Sequence, residues 1–277
     1  LTIEADKPGP VISRAIFGQF AEHLGTGIYG GIWVGPDSPI PNVRGIRSDV
    51  VQALRALKVP DVRWPGGCFA DQYNWRDGIG LAASRPARSN KNWGGVESNA
   101  FGTHEFMDFV EQIGSEAYVS VNLGSGTPRE AADWVEYMTT DQPSALGKER
   151  AANGHPAPYR VKFLGYGNET WGCGGNMTPE TYVAELNRYS VFVRNLNPAQ
   201  TGTIRFMPSP DPMQRIAVGP SDGDTAYTEA VMKAFPYQPY LGRKFDGLSL
   251  HHYTAGAAGI MRDPATGFGE KARCAMP

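Results

Sequence analysis

Ala117-Tyr118-Val119-Ser120-Val121-Asn122-Leu123, followed after three residues by Thr127-Pro128-Arg129-Glu130, is the stretch on which the fold turns. The first run is short, β-branched and aromatic, which predicts a strand. The second is a capping box with proline at the first helical position, which predicts a helix start. Trp134, Val135 and Met138 recur behind it as the stripe that this helix would bury. Upstream, Thr103–Ile113 places Phe106, Phe109, Val110 and Ile113 on one helical face, and Gly114 follows as a stop. The unit is therefore helix, strand, loop, helix.

Working outward, the same alternation repeats. Strands are expected near Ile16–Phe20, Val59–Trp64, Val161–Tyr166, Ile216–Val218 and Leu248–His252. Helices are expected at Arg47–Leu57, with Val50, Val51, Leu54 and Leu57 on one face, and after Thr178-Pro179, with Tyr182, Leu186, Tyr189, Val193 and Leu196 recurring at helical spacing. Asp224 caps a further helix that would bury Tyr227, Val231 and Phe235. Strands alternating with amphipathic helices predict an α/β fold with a parallel sheet. Polar residues gather just after the strands: Glu22-His23, Arg63 to Cys68, Asn122, Asn168-Glu169 and His251-His252-Tyr253. Contributions from nearly every strand end favour a (β/α)8 barrel over a doubly wound sheet, whose ligands sit at one switch point. Six strands are found where a closed barrel needs eight. We therefore expect residues 1–277 to form one partial catalytic barrel domain, incomplete at the carboxyl end.

Composition narrows the function. The net charge of -2 offers no basis for nucleic-acid or anionic-membrane partners. No apolar run approaches the ~20 residues of a membrane span. Gly and Pro together form about a fifth of the chain, which implies many turns rather than disorder. The start at Leu1 has no signal-peptide pattern, which leaves a cytoplasmic or an exported and processed soluble protein open. Cys68, Cys173 and Cys274 form no CxxC pair, and all three are expected as free thiols.

Gly165-Tyr166-Gly167-Asn168-Glu169-Thr170-Trp171 carries the most chemistry. A strand delivers an Asn-Glu pair among glycines and aromatics. Cleaving a glycosidic bond needs a carboxylic acid that keeps its proton until the leaving oxygen takes it, and burial beside aromatics favours the protonated form. Asn168 suits a sugar hydroxyl next to the reacting carbon. A structural salt bridge is the plain alternative for Glu169. Trp33, Trp64, Trp75, Trp93 and Trp171 fall in predicted loops or at strand ends, where indole faces suit sugar C–H surfaces, while Trp134 is expected in the core.

Several segments are distinctive. Phe17-Gly18-Gln19-Phe20-Ala21-Glu22-His23-Leu24-Gly25, Ile28-Tyr29-Gly30-Gly31-Ile32-Trp33-Val34-Gly35 and Arg63-Trp64-Pro65-Gly66-Gly67-Cys68-Phe69-Ala70-Asp71 occur in that order. Trp93-Gly94-Gly95-Val96-Glu97, Phe101-Gly102-Thr103-His104-Glu105-Phe106, Gly167-Asn168-Glu169 and Ser249-Leu250-His251-His252-Tyr253-Thr254 follow. Together they resemble the α-L-arabinofuranosidases of glycoside hydrolase family 51, from about residue 14 to about residue 270. The resemblance implies a (β/α)8 barrel followed by a β-sandwich. It implies a retaining double displacement on terminal α-L-arabinofuranosyl groups, with no metal and no cofactor. By motif, Glu169 matches the general acid/base and Asn168 the partner of the sugar 2-hydroxyl. Glu22, Cys68 and Trp93 match lining residues of the arabinose pocket, with Tyr253 also on the substrate side. Arg63 and Tyr253 match the groups that hold and orient the nucleophile. The implied partner is an arabinofuranosyl-containing carbohydrate, and members of the family often form homo-oligomers.

The family's nucleophile is a second Glu in an Asp-Glu-Trp-like motif, which this sequence lacks. Gly267-Phe268-Gly269-Glu270-Lys271 resembles the segment ahead of it, and agreement stops after Lys271. Neither Glu22 nor Glu270 is expected to substitute, because the two carboxyl groups must stand about 5–5.5 Å apart. The chain alone is thus expected to be inactive. Two other functions stay open: an endo-acting β-glycanase of the same barrel clan, and a non-catalytic sugar-binding fragment. His23, His104, His251 and His252 match no zinc spacing and are expected in hydrogen-bonding or structural roles. Gly165-Tyr166-Gly167 lacks the third glycine of a dinucleotide loop. Asn168 and Asn176 open formal glycosylation sequons, the first expected to be unused. Lys58, Arg85, Arg88 and Lys91 are expected on the solvated surface.

Overall fold

The computed structural model describes residues 9–201, 209–233 and 245–252. Six parallel strands form one sheet in strict chain order: β1 (Gln19–Phe20), β2 (Asp61–Trp64), β3 (Glu116–Val121), β4 (Phe163–Tyr166), β5 (Gln214–Ser221) and β6 (Gly247–His251). Neighbours in space are thus neighbours in sequence, which is the winding of a barrel and not of a doubly wound sheet. Six of the eight strands of that fold lie among the described residues. The expectation of a strand over Ile16–Phe20 is only partly met: Arg14–Phe17 is a 3-10 turn, and the strand keeps two residues.

The helices lie where their caps predict. α1 (Ser48–Leu57), α2 (Thr103–Ile113), α3 (Pro128–Thr139), α4 (Ala145–Ala152), α5 (Pro179–Phe192) and α6 (Thr225–Lys233) are the main ones. Thr127 Oγ1 accepts from Glu130 N at 3.2 Å, Thr178 Oγ1 from Thr181 N at 3.3 Å, and Asp224 Oδ1 from Tyr227 N at 2.9 Å. Each satisfies one of the donors that a helix start leaves orphaned. Gly114 closes α2 in the left-handed region at φ 74°. The short α4 escapes the periodicity argument because it buries only Gly147 and Arg150. Leu57 and Leu196 depart from the predicted stripes, at 71% and 42% exposure, while Val50, Val51 and Leu54 of α1 are half-buried. Leu57 ends α1, where Lys58 turns left-handed, and Leu196 lies beyond the last turn of α5. Phe235 lies outside the described residues.

Alternation across the strands separates two faces. Val62, Trp64, Val119, Val121, Leu164 and Tyr166 point to the helices and are buried. Trp64 stacks on Phe106 of α2 at 4.9 Å and meets Trp134 of α3 edge-on at 6.0 Å. Trp64 and Trp75, expected at a sugar surface, are therefore core residues at 0% and 4% exposure. Arg85 corrects another expectation. Its side chain is 4% exposed and ion-paired with Glu105, and it also donates to the carbonyls of Gly80, Asn99 and Ala100. A guanidinium is buried only when its donors are so occupied. On the inner face, Arg63 lies over the rings of Phe20 and Tyr118, at 5.2 and 5.8 Å. A cleft of about 440 Å³ opens there, lined by Phe20, Asp61, Arg63, Tyr118, Leu250 and His251 among others.

Candidate active site

Asn168 and Glu169 follow β4 directly. The chain turns sharply at this point: Gly167 has φ 85° and Glu169 has φ 41°, a left-handed conformation rare for a residue with a side chain. Such a residue persists only when its surroundings hold it. Asp71 does much of that holding. Its Oδ2 accepts from Asn168 N at 2.6 Å, and its Oδ1 accepts from Leu123 N and Gly124 N at 2.7 and 2.8 Å. One buried carboxyl thus ties together the loops that follow β2, β3 and β4. Burial pushes its pKa up to about 6, against the lowering pull of those backbone donors and of Arg63.

Arg63 extends from β2 and joins the same loops from the inner side. It donates to Asn168 Oδ1 at 2.5 Å, to Ser120 Oγ at 3.2 Å and towards His251 Nε2 at 3.4 Å. Arg63 can only donate, so a neutral His251 that accepts at Nε2 carries its ring proton on Nδ1. That Nδ1 lies 2.7 Å from Glu169 Oε1. The predicted Arg63, Asn168 and Glu169 are therefore one hydrogen-bonded row. His251, expected only in a bland role, completes it from β6.

A second group stands beside the first. Glu22 Oε1 accepts from Phe69 N at 3.1 Å and from Trp93 Nε1 at 2.9 Å. Trp93 keeps 44% of its surface exposed, so its ring remains available to a ligand. The turn at Gly66, with φ 135°, passes so close to Glu22 that a Cβ there would overlap its side chain. Behind this group, His23 is buried. Trp64 Nε1 donates to its Nε2 at 3.0 Å, and Nδ1 faces Glu97 at 2.8 Å. Burial opposes the Glu97 charge, but hydrogen bonds from His23, Tyr29 and Asn99 N hold its pKa below the usual value. Trp171 is tied to Gly219 O at 3.0 Å, and Trp33 packs edge-on to Phe101 at 5.9 Å.

The two groups are bridged covalently. Cys68 and Cys173 form a disulfide with Cα atoms 5.5 Å apart, across a sequence separation of 105. This corrects the expectation of free thiols for those two residues. Their loops follow β2 and β4, two strands apart in the sheet, and only the winding of the sheet brings them into bonding range. Cys274 and Tyr253 lie outside the described residues. Among the described residues, one group has metal-holding proximity: the Sγ atoms of Cys68 and Cys173 and a Glu169 carboxylate oxygen, all within 4.8 Å of one another. Asn168 is 2% exposed, too buried for its sequon to be modified.

Asp71, Ser120 and His251 are the residues that sequence reasoning missed. Asp71 closes the Arg63–Asp71 segment, but nothing in a linear reading shows that it collects three backbone donors from distant loops. His251 lies at a strand end, which was the one available signal.

Residues 53–238 match the family model described as the alpha-L-arabinofuranosidase 1 domain. An intracellular exo-alpha-L-arabinofuranosidase of Bacteroides ovatus is 48% identical over 269 residues, covering 97% of this chain and 49% of that protein. Alpha-L-arabinofuranosidase C of Emericella nidulans is 39% identical over 201 residues, covering 72% and 40%. Among solved structures, the GH51 arabinofuranosidase of Xanthomonas axonopodis pv. citri superposes with a TM-score of 0.83 at 50% identity, covering 94% of this chain and 51% of that one. The alpha-L-arabinofuranosidase of Thermotoga maritima, in an arabinose complex, gives 0.76 at 38% identity, covering 89% and 47%. The chain spans about half the length of the curated relatives it matches.

Proposed function

Because the chain belongs to the alpha-L-arabinofuranosidase 1 domain family, we propose that residues 1–277 form the part of a catalytic barrel that holds the general acid/base of a retaining, exo-acting α-L-arabinofuranosidase. The carrying observation is the row Ser120–Arg63–Asn168 with His251, which presents Glu169 Oε1 at 2.7 Å from an imidazole N–H. Glu169 gives its proton to the leaving oxygen in the first displacement. It then takes one from water in the second, when His251 N–H stabilises the carboxylate it has become. Asn168, fixed by Arg63, binds the sugar hydroxyl beside the reacting carbon. Glu22 accepts from another hydroxyl, and Trp93 covers a C–H face of the ring. Cys68, as half of a disulfide, adds an apolar sulfur wall and no thiol donor.

Arg63 and Tyr253 hold and orient the nucleophile. On this reading the nucleophile is a second carboxylate of the kind carried by the family's Asp-Glu-Trp motif. The substrate is a carbohydrate bearing terminal arabinofuranosyl groups, in keeping with the names of the relatives. The Bacteroides ovatus relative is named as intracellular, whereas the Cys68–Cys173 disulfide of this chain is the pattern of an oxidising compartment. No helix among the described residues is long and apolar enough to cross a membrane.

The test is Glu169→Ala in the protein that carries this chain. With a poor alkyl leaving group, kcat/KM should fall roughly 10²–10⁴-fold, the usual worth of a positioned acid. With a nitrophenyl leaving group, which needs little protonation, the first step should be nearly spared. Equal losses on both substrates would remove the acid role. Hydrolysis of a linear glucan in preference to an arabinofuranoside would favour an endo-acting enzyme instead.

A further inference from the structure

We propose that the Cys68–Cys173 pair, once reduced, forms with Glu169 a binding site for one thiophilic divalent cation such as Zn²⁺. The disulfide would then be what keeps that metal off the acid/base. The cation site stands on three side chains alone, and only its consequence for the acid/base rests on the proposed function.

Two cysteine sulfurs and one carboxylate oxygen lie within 4.8 Å of one another. Glu169 is already divided between two directions. Its Oε1 faces His251 Nδ1 at 2.7 Å, and its Oε2 faces Cys173 Sγ at 3.6 Å. A carboxylate with one oxygen held by an imidazole N–H and the other aimed at a sulfur has the outer-sphere support that metal-ligating carboxylates carry. Asn168 Nδ2 also stands 3.6 Å from Cys173 Sγ, as a weak donor to that sulfur. Two thiolates and a carboxylate bring three negative charges to a dication. With a water they complete a tetrahedral S2O2 set of the kind that suits zinc.

Geometry permits the change. Zinc–sulfur bonds of about 2.3 Å in a tetrahedron place two sulfurs about 3.8 Å apart, wider than any disulfide holds them. Cys173 is exposed on its loop, so rotation about its Cα–Cβ bond can supply the difference. The chemistry balances. A phosphine takes the disulfide to two thiols and becomes a phosphine oxide, with water supplying the oxygen and both protons. The metal then displaces those two protons as it binds the two sulfurs. Such pairs are kept as dithiols in reducing compartments. Coordination of Glu169 Oε2 removes the lone pair that would carry the proton, so the loaded site is silent as an acid.

The test uses the whole chain and reads binding, not hydrolysis. Protein reduced with a phosphine and desalted without oxygen is titrated with Cd²⁺, following the ultraviolet thiolate-to-cadmium charge-transfer band, and with Zn²⁺ against a chelating dye. The expected result is one equivalent bound by the reduced chain and none by the oxidised chain. Cys173→Ser should abolish the band. Glu169→Gln, which leaves the disulfide intact before reduction, should weaken Zn²⁺ binding about ten-fold or more. Cys274→Ser should change neither. An equal band in the oxidised chain, no band after reduction, a band that survives Cys173→Ser, or unchanged Zn²⁺ affinity in Glu169→Gln would each overturn the proposal.

Discussion

Asp61 and Asp71 flank the two ends of β2, and they answer the same problem in opposite ways. Both are nearly buried, at 6% and 5% exposure, and burial pushes both up to about pKa 6. Asp71, beyond the carboxyl end of the strand, collects three backbone N–H donors from two other loops. Asp61, at the amino end, has an Oδ1 with no hydrogen-bond partner among the described residues and Glu116 as a repelling neighbour. The end that carries the candidate chemistry is thus the end whose polar groups are satisfied. A barrel places its chemistry at the carboxyl ends of its strands. A catalytic group held on a left-handed residue needs that rigidity, as Glu169 at φ 41° illustrates.

The largest effect that would break this contrast is at Asp71. Asp71→Ala orphans three buried N–H groups and should cost about 3 kcal/mol or more in urea unfolding. Asp71→Asn should still lose about 2 kcal/mol, because its amide can turn only one accepting oxygen to donors on both sides. A neutral outcome for either would mean that the loops hold themselves.

His104 sharpens the contrast from the opposite direction. It is wedged between the hydroxyls of Tyr137 and Tyr159, at 2.5 and 2.7 Å, and burial pushes its pKa down to about 4. The folded state therefore binds a proton less readily than the unfolded chain. Stability from this group is complete above the ordinary histidine value of about 6.5 and is lost as pH falls towards about 4. We expect about 2 kcal/mol of acid-side loss by chemical denaturation, and a flatter acid limb in His104→Gln.

The two aspartates carry the reverse sign. Their folded pKa values exceed the unfolded value near 3.9, so their stabilising contribution is complete below that value and is lost as pH rises through about 6. Asp61→Asn removes that penalty where no donor is forfeited. It should raise stability by about 1 kcal/mol near neutral pH and leave it nearly unchanged at about pH 4. If Asp61→Asn destabilises as Asp71→Asn does, the two ends of the strand are not built differently. Leu250→Ser, on the 63%-exposed position of β6, should move stability by less than about 0.5 kcal/mol.

The gradient in legibility follows the same physics. Thr127, Thr178, Asp224 and Gly114 act on groups within four residues, so their roles as helix ends are readable from neighbours in the chain. The strand order is nearly as readable, because alternating strands and helices have one short way to wind. Trp64 and Trp75 were not readable as core, since a strand-end tryptophan looks the same whether a helix or a sugar covers it. Arg85 was missed for a related reason. A lone arginine reads as surface until Glu105 and three carbonyls are found around it.

By itself the sequence determined every main helix but α4, the parallel sheet, the family and the presence of Asn168-Glu169 at a strand end. These rest on side-chain periodicity and on caps, whose interactions span a few residues. Only the tertiary structure decided that Cys68 bonds Cys173, that Asp71 ties three loops, and that His251 stands at Glu169. Those pairs lie between 52 and 105 residues apart along the chain. Hydrogen bonds and disulfides act only over a few ångströms, so such partners are chosen by how the sheet winds and not by where they sit in the sequence.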